Sequence, residues 1–87
     1  MSVALRRSPE TAWQMIGDEA VIMNLAGARV LGLNSTGALV WSRLEELDER
    51  GLAEAIAERF AIDADAARDD VQAFLDLLRE RGLVVEG

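Results

Sequence analysis

Few side chains in this sequence could do chemistry, and those few are poorly placed for it. Adjacent carboxylates occur at Asp18–Glu19 and Asp69–Asp70, the kind of pair that acid–base catalysis uses. Neighbouring residues on a strand or helix project in different directions, so neither pair converges on one substrate atom. Ser35 and Thr36 offer hydroxyls, but the chain has no histidine to activate them. "GALVW" opens on Gly37 with no lysine behind it, so it is not a phosphate loop. The missing histidines and cysteines also remove the commonest metal ligand and every thiolate. These residues therefore read as a turn, a solvated helix face and helix caps. No catalytic residue, metal site or cofactor is expected, and the chain reads as a non-enzyme.

The elements that would position a site fit one domain spanning residues 1–87. A chain this short buries roughly 60–65% of its unfolded surface, enough for one modest core. No apolar run approaches the ~18 residues a bilayer span needs, and "MSVALRRSPE" has no signal-peptide core. A soluble cytoplasmic protein without membrane partners is expected. The net charge of −7 is uneven. Residues 1–44 hold four arginines against three acids, a balance of +1, whereas residues 45–87 hold five against thirteen, a balance of −8.

Three strands are expected at about 12–33 and three helices at about 35–82. "AWQMIG" (12–17) alternates Trp13 and Met15 with Gln14, "AVIMNL" (20–25) puts Val21, Met23 and Leu25 on one face, and "RVLGL" (29–33) follows. Asp18–Glu19 suits one tight turn, and Gly27 can supply positive φ to the other. The result is an antiparallel meander with its middle strand central. Asn34 or Ser35 can cap a helix at once; Val40, Trp41, Leu44 and Leu47 form its apolar stripe. Gly37 in its first turn allows close approach. A second helix at about 52–60 carries Leu52, Ala55, Ile56 and Phe60 on one face. A third, at about 64–81, starts at Asp63 and stops at Gly82; "LVV" (83–85) is a final short strand. Helical spacing puts Ala67, Val71, Phe74 and Leu78 in the third helix's buried stripe, with Leu75 at its margin. Arg68, Gln72 and Arg79 flank the Leu75 side; Ala66, Ala73 and Leu77 flank the other.

Three helices ending near a strand resemble a winged helix-turn-helix, so a module binding DNA or a protein partner is the alternative reading. DNA affinity rests on neutralised phosphates. Asp69, Asp70, Asp76 and Glu80 lie on the helix that would enter the groove, so nucleic acid is not the expected partner. Surfaces remain. Within "RVLGL" the only charge is Arg29 and there is no proline, so an edge here would lack the usual protection. Gly32 marks a place where another backbone can approach. A covering segment, a second copy of the chain, or an added peptide strand could each occupy that edge.

The order "AWQMIGDEAVIMNLAG", "LGLN", "STGALVW", "DDVQAFLDLLRERGLV" resembles the PqqD family over about residues 8–86. The resemblance implies an α+β fold, with a three-stranded antiparallel sheet packed on a three-helix winged-helix-like bundle. It also implies a recognition element for ribosomally made, later modified peptides. There the leader of a precursor peptide adds as a strand along the third strand, in a groove bordered by the third helix. The modifying enzyme it serves would be a radical SAM protein or a leader peptidase. Carried to this chain, Arg29, Val30, Leu31, Gly32 and Leu33 would supply the backbone. Arg68, Gln72, Leu75 and Arg79 would supply the wall, arginines pairing with leader carboxylates and Leu75 receiving an apolar anchor. The Ala66–Ala73–Leu77 flank is the rival wall, and the sequence does not choose. Precursor, enzyme, product and oligomeric state stay open, with a homodimer through the open edge among the possibilities.

Overall fold

A computed structural model describes residues 5–86. Its elements run β1 (Leu5–Arg7), β2 (Thr11–Ile16), β3 (Glu19–Asn24), β4 (Arg29–Leu33), α1 (Ser35–Arg43), α2 (Glu49–Phe60), α3 (Ala64–Glu80) and β5 (Val84–Glu86). The fold is α+β: β2, β3 and β4 form an antiparallel sheet in that order, beside the three helices. A second, two-stranded sheet pairs β1 with β5 antiparallel, Leu5 opposite Glu86 and Arg7 opposite Val84. The final strand is as expected, one residue later; its partner β1 was not.

Local chemistry explains the boundaries. The first turn is Gly17–Asp18, not Asp18–Glu19, because Gly17 takes φ +65° at the first central position of a two-residue hairpin. Glu19 is therefore already in β3. In the second turn the positive φ falls on Ala28 (+53°), not Gly27. Asn24 Oδ1 accepts from the Ala26 N–H at 3.0 Å and starts that turn. Asn34 alone separates β4 from α1, and its Oδ1 accepts from Gly37 N–H at 2.9 Å. Helix α1 ends at Arg43, earlier than its stripe suggests, but Leu44 is still buried and Leu47 packs on the core. Helix α2 begins at Glu49, three residues before the expected 52, because Asp48 caps it by accepting from Gly51 N–H at 2.8 Å. Asp63 caps α3. Gly82 ends it at φ +70°, with Gly82 N–H donating to Arg79 O and Leu83 N–H to Leu78 O. That is the double bond of a Schellman stop.

The core draws on every layer: Ala20, Ile22 and Leu33 from the sheet, Val40 and Trp41 from α1, Leu52 and Ile56 from α2. From α3 it takes Ala67, Val71, Leu75 and Leu78, while Phe74 is half-buried. Helical spacing had these last roles reversed. Leu75 is 3% exposed and belongs to the core, and Phe74 occupies the margin.

Candidate functional site: an open sheet edge beside the end of the third helix

Among the described residues, strand β4 pairs with β3 on one side only, and its other edge is open. Hairpin geometry determines which backbone groups face that edge. The two-residue turn makes Ile16 and Glu19 a hydrogen-bonded pair, and such pairs alternate along an antiparallel ladder. Glu19, Val21 and Met23 thus spend their N–H and C=O groups on β2. The Leu25 N–H donating to Glu10 O at 2.8 Å continues the same row. Ala20, Ile22 and Asn24 bond β4 through Leu33, Leu31 and Arg29. Val30 and Gly32 are left with their amides and carbonyls directed at the open edge.

The side chains alternate the other way. Leu33 is buried and Leu31 half-buried on the core side. Val30 is 61% exposed on the outer face, and a Cβ placed on Gly32 would meet nothing within 4 Å. Beside the core-side face lies a concavity of about 440 Å³, bordered by Arg29, Val30 and Leu31 from β4, by Glu80 and Arg81 at the end of α3, and by Leu83 just beyond it. At the other end of the strand, Phe74 lies against the start of α1, its Cε1 3.3 Å from where a Gly37 Cβ would stand. Phe74 and Arg81 are two helical turns apart on one side of α3. Leu77, also half-buried, falls between them.

The four α3 residues expected to wall the groove sit elsewhere. Arg68 borders a different concavity, between α2 and α3, with Arg50, Ala53 and Ala57. Arg79 is held by Asp76 at 3.2 Å and by Glu86 of β5 at 3.5 Å. Gln72 is exposed and shares the Arg68–Arg79 side by helical spacing. Leu75 is enclosed. Of the rival flank, Leu77 is the member between Phe74 and Arg81. Arg81, the C-cap residue of α3, is not among the residues expected to form the wall. Its spacing of seven from Phe74 was the available signal.

Among the described residues, no group of three or more histidine, cysteine, aspartate or glutamate side chains could hold a metal ion. None of their helices is long and apolar enough to cross a membrane. The site offers backbone hydrogen bonds, an apolar floor and guanidinium groups. These define an α+β domain of winged-helix-like build in which the open edge of β4, one of the sheet's two edge strands, runs beside the end of a helix.

The chain belongs to the PqqD family: the family model for Coenzyme PQQ synthesis protein D (PqqD) matches residues 19–84, which include all of β4 and α3. Two solved structures share the fold. One is TbiB1 in complex with the TbiA(beta) leader peptide, 28% identical, TM-score 0.83, covering 91% of this chain and 93% of that one. The other is lasso peptide synthetase B1 complexed with the leader peptide, 22% identical, TM-score 0.85, covering 94% and 98%. No curated protein matches the sequence significantly.

Proposed function

We propose that this protein is a non-catalytic adaptor for the leader of a ribosomally made precursor peptide. The leader would add as a fourth strand on β4, with the end of α3 as the groove's other wall, and a modifying enzyme would act on the tethered core peptide. The observation that carries this is the β4 edge itself. Two residues, Val30 and Gly32, present free backbone groups beside a concavity, in a PqqD-family chain whose fold is shared by TbiB1, a protein solved in complex with the TbiA(beta) leader peptide. Strand addition uses this arrangement, with main-chain bonds supplying affinity and pockets reading alternate side chains. Holding the leader raises the effective concentration of the core peptide at an enzyme that docks on the same assembly. That enzyme is a radical SAM protein or a leader peptidase in this reading.

For the α3 wall, the geometry favours Phe74, Leu77 and Arg81 over Arg68, Gln72, Leu75 and Arg79. The test is a titration of isotope-labelled protein with leader peptides encoded beside its gene, followed by backbone amide shifts. Shifts at Val30, Gly32 and residues 74–81 are expected. Saturating peptide that leaves those amides unmoved overturns the proposal.

A further inference from the structure

The charge of the groove is opposite to that of the rest of the helical half. Residues 45–87 sum to −8, and four of the nine arginines are consumed locally: Arg7 pairs with Glu45, Arg43 with Glu46, Arg50 with Glu54, and Arg79 with Asp76 and Glu86. Arg29 and Arg81 differ. Both are exposed, both border the concavity beside β4, and among the described residues neither has an acidic partner. Glu80 is the one acid on that concavity, so its local balance is +1. An unpaired arginine at a groove wall is matched to a carboxylate, which it binds by paired, charge-assisted hydrogen bonds.

Position along the strand sharpens this. Arg29, Leu31 and Leu33 share the core-side face of β4, two residues apart. A strand added to the open edge places its own groove-side residues in the same rows, also two apart. The residue in the Leu31 row meets an apolar floor, and the one in the Arg29 row lies between Arg29 and Arg81. We infer that the guest peptide carries an aspartate or glutamate two residues from an apolar anchor, and that Arg29 and Arg81 together read the acid. This rests on the strand-addition reading. In an antiparallel guest the order is apolar–x–acid; in a parallel one it is acid–x–apolar.

The test uses a displayed library of random 12-residue peptides, selected in parallel on the full chain and on its Arg29→Glu/Arg81→Glu variant. Both positions are exposed, so the variant should stay folded, with a melting temperature a few degrees below the parent's because Arg81→Glu places a negative charge at the C-terminal end of α3. Peptides from the parent selection are first sorted by whether they shift the Val30 and Gly32 amides. Those that do should be enriched in an acid at the stated spacing. Replacing that acid by its amide should weaken binding about tenfold or more. The double variant should select arginine or lysine at the same place. Edge-binding peptides with no acid preference, or the same preference on both proteins, overturn this inference and leave strand addition standing. Failure to find any peptide that moves those two amides overturns the underlying reading and this one with it.

Discussion

Phe74 of α3 packs so closely on Gly37 of α1 that a Cβ on Gly37 would stand 3.3 Å from Phe74 Cε1 and 3.4 Å from Cζ. Since one residue joins α1 to β4, this contact helps set how far α3 stands from the strand it flanks. Gly37→Ala should be near neutral in stability. Alanine is worth roughly 0.5–1 kcal/mol over glycine in a helix, and crowding the ring offsets it. Phe74 is half-buried, so the ring can slide outward by the few tenths of an ångström required. Phe74→Ala should cost about 2 kcal/mol, below the 3–5 of a fully buried ring. The two should not add: in the Phe74→Ala background Gly37→Ala should become stabilising, by roughly 0.5–1 kcal/mol, because only the helix gain remains. Urea denaturation of the four proteins checks the cycle, and strict additivity would remove the contact from the account.

Arg7 fastens the small sheet to the main body. Its Nη1 donates to the Trp41 carbonyl at 2.7 Å, its guanidinium faces Glu45 at 3.7 Å, and it lies over the rings of Trp13 (4.9 Å) and Trp41 (5.7 Å). The Trp rings themselves meet edge to face at 6.1 Å. Arg7→Met should cost about 2 kcal/mol, from one hydrogen bond to a charged donor and two cation–π contacts. Arg7→Lys keeps the charge without the planar fork and should restore less than half of that loss. Chemical denaturation followed by tryptophan emission reads both.

The caps at Asn34 and Asp63 and the stop at Gly82 were legible because each is a local event, whereas both hairpin turns and the start of α2 fell one to three residues from where they were expected. Asn34, Asp63 and Gly82 act within one helical turn of where they stand, and their residue types announce it. The strand bearing the open edge was equally plain, at residues 29–33. What stayed hidden depends on contacts distant in sequence. Nothing local makes "LRR" a strand; Leu5 becomes one because Glu86 lies across from it. The exchange of Leu75 and Phe74 has the same origin. A helical wheel finds an apolar arc but not which part faces which neighbour. On α3 the core takes Leu75, and Gly37 leaves room at the margin for Phe74. With Leu75 taken as the margin, the expected wall fell on Arg68, which borders α2, and Arg79, which pairs with β5, whereas Arg81 borders the concavity beside β4.

Asn34 ends the strand and begins the helix in one residue. Asn34→Ala should cost about 1 kcal/mol, the usual loss for an N-cap oxygen, and should speed hydrogen exchange at the Gly37 amide that it caps. Asn34→Asp should hold or slightly raise stability, since it keeps the acceptor and places a negative charge at the helix N-terminus. Equal losses in both variants would mean that the amide group, not the oxygen, is the part that matters.

Two prolines one residue apart separate the strand's inner edge from its outer one. Val30 directs its N–H at the open side, whereas Leu31 spends its own on Ile22 of β3. Proline removes a backbone donor, so Val30→Pro should leave the β3–β4 ladder intact and shift the melting temperature by only a few degrees. Leu31→Pro breaks a ladder bond and removes a half-buried side chain, and should cost about 3 kcal/mol or more, a large share of a small domain's stability. Leader binding should behave oppositely to stability for the first variant: Val30→Pro stays folded and loses affinity by at least about tenfold, the worth of one main-chain bond left unmade. Amide spectra establish the fold and calorimetry with the leader peptide reads the affinity. A folded Val30→Pro variant that binds as well as the parent would mean that the guest does not pair with β4.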